Sequence, residues 1–111
     1  MTPRLTSEFW VQAYIQRLSL NDIPAFVVVR GDSTAGAVIV KQNPLDGSAK
    51  AFQRSVDIFS GDRIWVTLCD GPDREVEEMI ARQRSFDPDL WVIEVEDRDG
   101  RHLLDEPGLD G

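Results

Sequence analysis

Over the first twenty residues apolar side chains return every three to four positions. Trp10, Tyr14 and Leu18 stand at i, i+4 and i+8, flanked by Val11 and Ile15, with Gln12, Gln16 and Arg17 between them. This spacing gathers a wide apolar face and predicts a helix over 7–20. Thr6 or Ser7 can cap its start, and Glu8 complements the positive end of the helix dipole. Asn21-Asp22-Ile23-Pro24 stops it, because a proline disfavours helical geometry in the residue before it. The pattern then changes. Residues 25–30 and 36–42 are rich in β-branched side chains and are separated by Gly31-Asp32-Ser33-Thr34-Ala35, which predicts two strands joined as a hairpin. In simple register Val28 falls opposite Val38 and Phe26 opposite Val40. Both faces of this pair are apolar near the middle. It therefore belongs in the centre of a sheet, covered on both sides or covered on one side and paired with a second copy on the other.

Asn43-Pro44-Leu45-Asp46-Gly47 marks the next turn. A weaker strand follows over 48–54, with Lys50, Phe52 and Arg54 on one face, and its charges point to a sheet edge. After a connection closed by Ser60-Gly61-Asp62, residues 63–69 alternate: Ile64, Val66 and Leu68 face one way, Trp65, Thr67 and Cys69 the other. Asp70-Gly71-Pro72-Asp73 opens a second helix, with Pro72 suited to its first turn. Val76, Met79, Ile80 and Gln83 make its inner stripe, and Asp87-Pro88 ends it. Leu90–Glu96 is a last strand, Asp97–Gly100 a turn, and Arg101–Leu104 a segment able to pair back. The end from Asp105 to Gly111 reads as frayed. The predicted order is α-β-β-β-β-α-β(-β). This is one α+β domain with an antiparallel sheet of four to five strands and two helices.

Charge adds one asymmetry. The chain of 111 residues carries 12 bases and 20 acids. Residues 1–86 nearly balance, whereas 87–111 hold Asp87, Asp89, Glu94, Glu96, Asp97, Asp99, Asp105, Glu106 and Asp110 against only Arg98 and Arg101. Most of these acids flank a strand that must pack, so they form a fixed acidic surface. The balance argues against nucleic acid, whose binding relies on Lys and Arg, and against anionic membranes. The longest apolar run, Ala25–Val29, is far short of the ~20 residues of a membrane span. With no signal-like start and a single cysteine, the expected location is the cytoplasm.

The motifs that could carry chemistry are weak. Asp97-x-Asp99-Gly100 with Glu106 fits part of a calcium loop, but Val95 stands where the first carboxylate belongs. Gly31-x-x-x-x-Gly36 lacks the Lys-Ser/Thr and the following helix of a phosphate loop. Cys69 ends a strand before a helix, where a thiol can be activated, with His102, the sole histidine, as a conceivable base; Asp70 and Asp73 oppose such activation. Glu94 and Glu96 share a strand face about 6.6 Å apart at ~3.3 Å rise per residue, a spacing compatible with acid/base or metal chemistry. No second cluster of ligands completes a metal shell, so neither a metal nor another cofactor is expected.

Three segments carry a resemblance. Leu5-Thr6-Ser7-Glu8-Phe9-Trp10-Val11, residues 30–41 (RGDSTAGAVIVK) and residues 86–97 (FDPDLWVIEVED) resemble a family of small bacterial proteins known as domain of unknown function 1491. The resemblance spans nearly the whole chain except a weaker middle from Ser48 to Asp62. It implies a bacterial single-domain protein and carries over no catalytic residue.

Two functions compete on these grounds. The leading expectation is a non-catalytic interaction module that self-associates as a homodimer. It rests on surplus apolar strand faces and three tryptophans beside an absence of catalytic constellations. The alternative is a small-molecule-binding or hydrolytic enzyme with its site at Glu94 and Glu96, where Arg30, Asp32 or Lys41 converge. A basic protein partner for the acidic end is a third option.

Overall fold

The computed structural model describes residues 5–109. Helix α1 (Ser7–Leu20) is followed by strands β1 (Ala25–Val29), β2 (Val38–Asn43), β3 (Ser48–Val56) and β4 (Arg63–Pro72), helix α2 (Asp73–Phe86) and strand β5 (Trp91–Glu96). Thr6 caps α1, its hydroxyl accepting the Phe9 N–H. Pro72 is the last residue of β4 and the N-cap of α2, rather than a residue inside the helix.

The five strands form one sheet in the order β1-β5-β2-β3-β4. The α+β class, the two helices and the element order are those the pattern predicts, but the sheet is mixed. Strand β5 enters between β1 and β2, antiparallel to the first and parallel to the second. The expected β1–β2 hairpin therefore does not exist. Val27 faces Ile93, and Val38 faces Trp91. A hairpin-like loop specifies only that the chain reverses; a more apolar strand made later can take the inner place. The two edges are β1 and β4. Strand β3, expected at an edge because of its charges, is interior, paired to β2 and β4.

Alternation along the strands builds two cores. Val38, Val40, Trp91, Ile93 and Val95 meet Trp10, Val11, Tyr14 and Leu18 of α1. Ile39, Ala49, Ala51 and Val92 meet Val76 and Ile80 of α2; Met79 and Gln83 are only partly covered. The segment after β5 does not pair back as a strand. It crosses the α1 side of the sheet, inserting Leu104 and Leu109, both buried, into the first core. Trp65 Nε1 donates to the Leu109 carbonyl at 2.9 Å, and Arg17 pairs with Glu106 at 3.2 Å. The frayed end expected from Asp105 is thus packed as far as Leu109; its last two residues lie outside the described ones.

Candidate functional site

The residues predicted to converge occupy two separate places. Arg30 and Asp32 lie at the start of α1. The Arg30 guanidinium pairs with Glu8 and lies over the Trp91 ring, 5.2 Å from its centroid. Asp32 Oδ2 accepts the N–H groups of Thr34 and Ala35, while its carbonyl accepts Trp91 Nε1–H at 2.7 Å. Carbonyls of the same loop take the first helical donors: Ser7 N–H reaches Thr34 O and Glu8 N–H reaches Ser33 O. Those orphan donors are what would make a helix start an anion site, and here they are used internally. Gly31 and Gly36 serve close packing. A Cβ on either would stand 2.2 or 2.4 Å from the Asp89 carbonyl oxygen.

Lys41 and Glu94 do meet, on the α2 face. They are register partners in the parallel β2–β5 pair, and Lys41 Nζ lies 3.4 Å from Glu94 Oε1. Helix α2 completes the cluster with Asp73, 2.6 Å from Nζ, and Glu77, in direct contact with it. The Lys41 side chain is 4% exposed. Burial pushes its ammonium toward deprotonation, but the Asp73 and Glu77 carboxylates that accept from it and the charge of Glu94 outweigh that. Its pKa is raised well above the ordinary lysine range. The ammonium thus occupies the centre of the three carboxylates. Both Glu94 oxygens are engaged, the second by Asn43 Nδ2 at 3.3 Å, so Glu94 is not poised with Glu96 as a working carboxylate pair. Glu96 stands opposite Asn43 at the end of β5, half-buried. Asp73 and Glu77 were invisible as cluster members because only the docking of α2 brings them to Lys41.

The remaining chemistry is divided by the sheet. Cys69 packs against the α2 core, while His102 packs at a tilt on Phe52 of the opposite face, ring centroids 4.6 Å apart. A Cys–His pair is therefore geometrically impossible. Burial, partly offset by a backbone hydrogen bond from Ala51, and the charge of Asp70 push the Cys69 thiol up. In the turn after β5, Asp97 receives the backbone N–H, Nε and Nη2 of Arg101. That ion pair holds its carboxyl below the usual range and takes up a carboxylate the calcium-loop pattern would need. Among the described residues no group of three or more His, Cys, Asp or Glu is arranged to hold a metal, and no helix is long and apolar enough to cross a membrane.

Two surfaces stand out. One is a cleft of about 650 Å³ between β3–β4 and the C-terminal segment, walled by Phe52, Ile64, Trp65, Thr67, His102 and Asp105. The other is the open edge of β1. Phe26, Val27 and Val28 are exposed by 51%, 44% and 56%, beside two shallow hollows that share Ile15 of α1. Sequence reasoning anticipated apolar strand faces here but not an unpaired edge, since it gave β1 a neighbour on the wrong side.

A family model described as a protein of unknown function, DUF1491, matches residues 5–105. No curated protein matches the chain. Among solved structures it is similar to the crystal structure of a DUF1491 family protein from Caulobacter crescentus CB15, with 37% identity, 93% of this chain and 95% of that one covered, and a TM-score of 0.81. An NMR structure of a DUF1491 family protein from the same organism gives 37% identity, 96% and 97% coverage, and a TM-score of 0.82. The solution structure of a protein from A. tumefaciens gives 32% identity, 85% and 86% coverage, and a TM-score of 0.73.

Proposed function

The chain belongs to the DUF1491 family, which brings no assigned chemistry with it, and from that premise we propose that it is a self-associating interaction module whose contact is the β1 edge. The observation that supports this is the open edge itself. Glu96 N–H donates to the Pro24 carbonyl, so by antiparallel alternation Phe26 bonds inward to Glu94 while Ala25 and Val27 aim their N–H and C=O groups out of the sheet. An apolar strand with free polar backbone is a template for another strand. A second copy is the occupant that suits it: an antiparallel arrangement about a two-fold axis at Val27 sets Val27 against its own counterpart and joins two sheets into one. Between Ala25 and Val29 there is no acid, so the strand itself brings none of the net charge of −8 to the seam.

Catalysis at Glu94 and Glu96 has less support, since Lys41 and Asn43 hold Glu94. The same cluster and the acidic turn after β5 give a basic partner only a general electrostatic attraction. Sedimentation equilibrium from 1 to about 500 µM, a range that brackets weak association, tests the proposal together with Val27→Pro. That substitution removes an outward N–H and leaves the β1–β5 ladder its bonds. A concentration-dependent dimer that becomes monomeric in Val27→Pro, with the melting temperature nearly kept, is the expected result. A wild-type monomer throughout, or a dimer indifferent to Val27→Pro, overturns it.

A further inference from the structure

We propose that residues 101–109 form an acid-released strap, latched to the sheet by the neutral ring of His102. Beside the Arg17–Glu106 ion pair, a small set of contacts defines the strap. Nδ1 of His102 accepts the Leu104 N–H at 3.0 Å. The His102 carbonyl accepts the Tyr14 hydroxyl at 2.7 Å. Leu104 and Leu109 are 2% and 3% exposed in the core of Trp10, Tyr14 and Leu18, and Trp65 Nε1 holds the Leu109 carbonyl. Nothing in this segment is a helix or strand, so its place depends on these few contacts and not on a ladder.

The Nδ1 contact makes the strap conditional. A neutral imidazole accepts at one nitrogen and donates at the other; the imidazolium donates at both. A proton taken from solvent onto Nδ1 therefore converts the Leu104 contact from donor–acceptor to donor–donor and leaves a buried N–H unpaired. The ring is half-buried on Phe52, where a charge is poorly solvated. The groups around it do not compensate. Asp105 on the strap favours the charged ring, and Lys50 of β3 opposes it. Asp62, just before β4, and Arg63 of β4 share the wall of the cleft. Asp70 of β4, with Arg98 and Asp99 of the turn, lies around the smaller hollow on the ring's other side. From α1, Tyr14 is kept protonated by its burial and Arg17 pairs with Glu106 of the strap. Burial dominates, and the His102 pKa is lowered.

The sign follows. The closed strap prefers the neutral ring, so latching is complete above the free-histidine value of about 6.5. It weakens as pH falls below that value, until the closed-state ring itself titrates. One proton taken up on opening changes the open-to-closed ratio by at most about tenfold per pH unit. Release would uncover the apolar surface of Trp10 and Trp65 and widen the cleft that His102 and Leu104 now border.

Hydrogen exchange of the full chain, normalised for intrinsic rates between pH 7.5 and 5.0, tests this by comparing the Leu104 and Leu109 amides with Ile93 in the central strand. Strap protection should fall up to tenfold per unit below about pH 6.5 while Ile93 stays protected. In His102→Asn the side-chain oxygen can accept the same N–H and does not ionise, so protection should be pH-independent. In His102→Ala it should be low throughout. A flat wild-type profile, a matching loss at Ile93, or an undiminished pH effect in His102→Asn overturns the proposal. Should His102→Asn open the strap at neutral pH, the wild-type ring titration followed by NMR decides. A ring midpoint below about 6.5, at which the acid-driven rise in strap exchange levels off, supports the latch, and a rise in exchange that bears no relation to that midpoint overturns it.

Discussion

Replacing Lys41 by methionine keeps the volume of its stem and removes its charge, leaving Asp73, Glu77 and Glu94 gathered around an empty centre. At the separations of 2.6 and 3.4 Å recorded for Asp73 and Glu94, an effective dielectric of ~20 gives a gross attraction of about 5–6 kcal/mol per contact. Two effects reduce that figure. Burying the ammonium costs several kcal/mol, a cost the substitution removes, and Asp73 and Glu77 are 44% and 52% exposed, so solvent screens them. Mutual repulsion of the abandoned carboxylates works the other way. The balance is a loss of about 2–3 kcal/mol, below the ~3–5 kcal/mol seen when a fully buried pair loses one member. In a domain this size it lowers the melting temperature by about 8–15 °C. Urea unfolding at pH 7, followed by far-UV circular dichroism, measures it. Two internal checks sharpen the result. Glu94→Gln leaves Lys41 two carboxylates and costs under about 1 kcal/mol, and adding it to Lys41→Met recovers part of the loss by relieving repulsion. Because the Lys41 pKa is raised, its contribution is complete below about 10.5 and fades only at more alkaline pH, so the wild-type cluster gives no stability step near neutrality. A Lys41→Met protein within about 0.5 kcal/mol of wild type, the ordinary range for surface changes, would refute this account of the cluster.

The other predictions concern space and reactivity. Gly36→Ala places a methyl group 2.4 Å from the Asp89 carbonyl oxygen; the loop must shift, and the destabilisation should be about 2–3 kcal/mol or more by chemical denaturation. Cys69, its thiol pKa raised by burial and Asp70, should react with Ellman's reagent at pH 7.5 several-fold more slowly than in the unfolded chain, whose rate is set by a pKa of about 8.5.

The local elements were legible because their causes are local. The Trp10-Tyr14-Leu18 stripe fixed α1, and the apolar-rich run from Ile64 to Cys69 located most of β4, although a register shift opposite Ala51 and Phe52 breaks the alternation and puts Cys69 on the α2 side, away from Trp65. Partner choice was not local. Gly31–Ala35 reads as a hairpin loop, yet its carbonyls cap α1, and Gly31 and the following Gly36 press on Asp89, so it leads away from β1 rather than folding β2 back onto it. Charge misled in β3 for a similar reason. The Arg54 guanidinium stacks over Trp10 and Trp65 at 4.6 and 5.1 Å, and planar guanidinium on aromatic rings is a stable way to cover a cation. Single-residue hydropathy cannot register that. The tail reads as loose because Pro107, Gly108 and its acids look like a solvated end; what anchors it is Leu109 in the core, its carbonyl held by Trp65, and the Glu106–Arg17 ion pair. For the site, Lys41 and Glu94 were named and do touch, whereas Arg30 and Asp32 serve the start of α1.

The place of β5 also bears on how the molecule is made. Two of the four pairings of the sheet, β1 with β5 and β5 with β2, wait for β5, the last strand among the described residues. A nascent polypeptide released only as far as α2 holds β2, β3 and β4 as a partial sheet, with β1 unable to join. Contacts of such long sequence separation slow folding and leave apolar edges uncovered meanwhile. Assembly should therefore be a single late event: residues Trp91–Glu96 insert, lock both halves at once, and give the chain no stable halfway house.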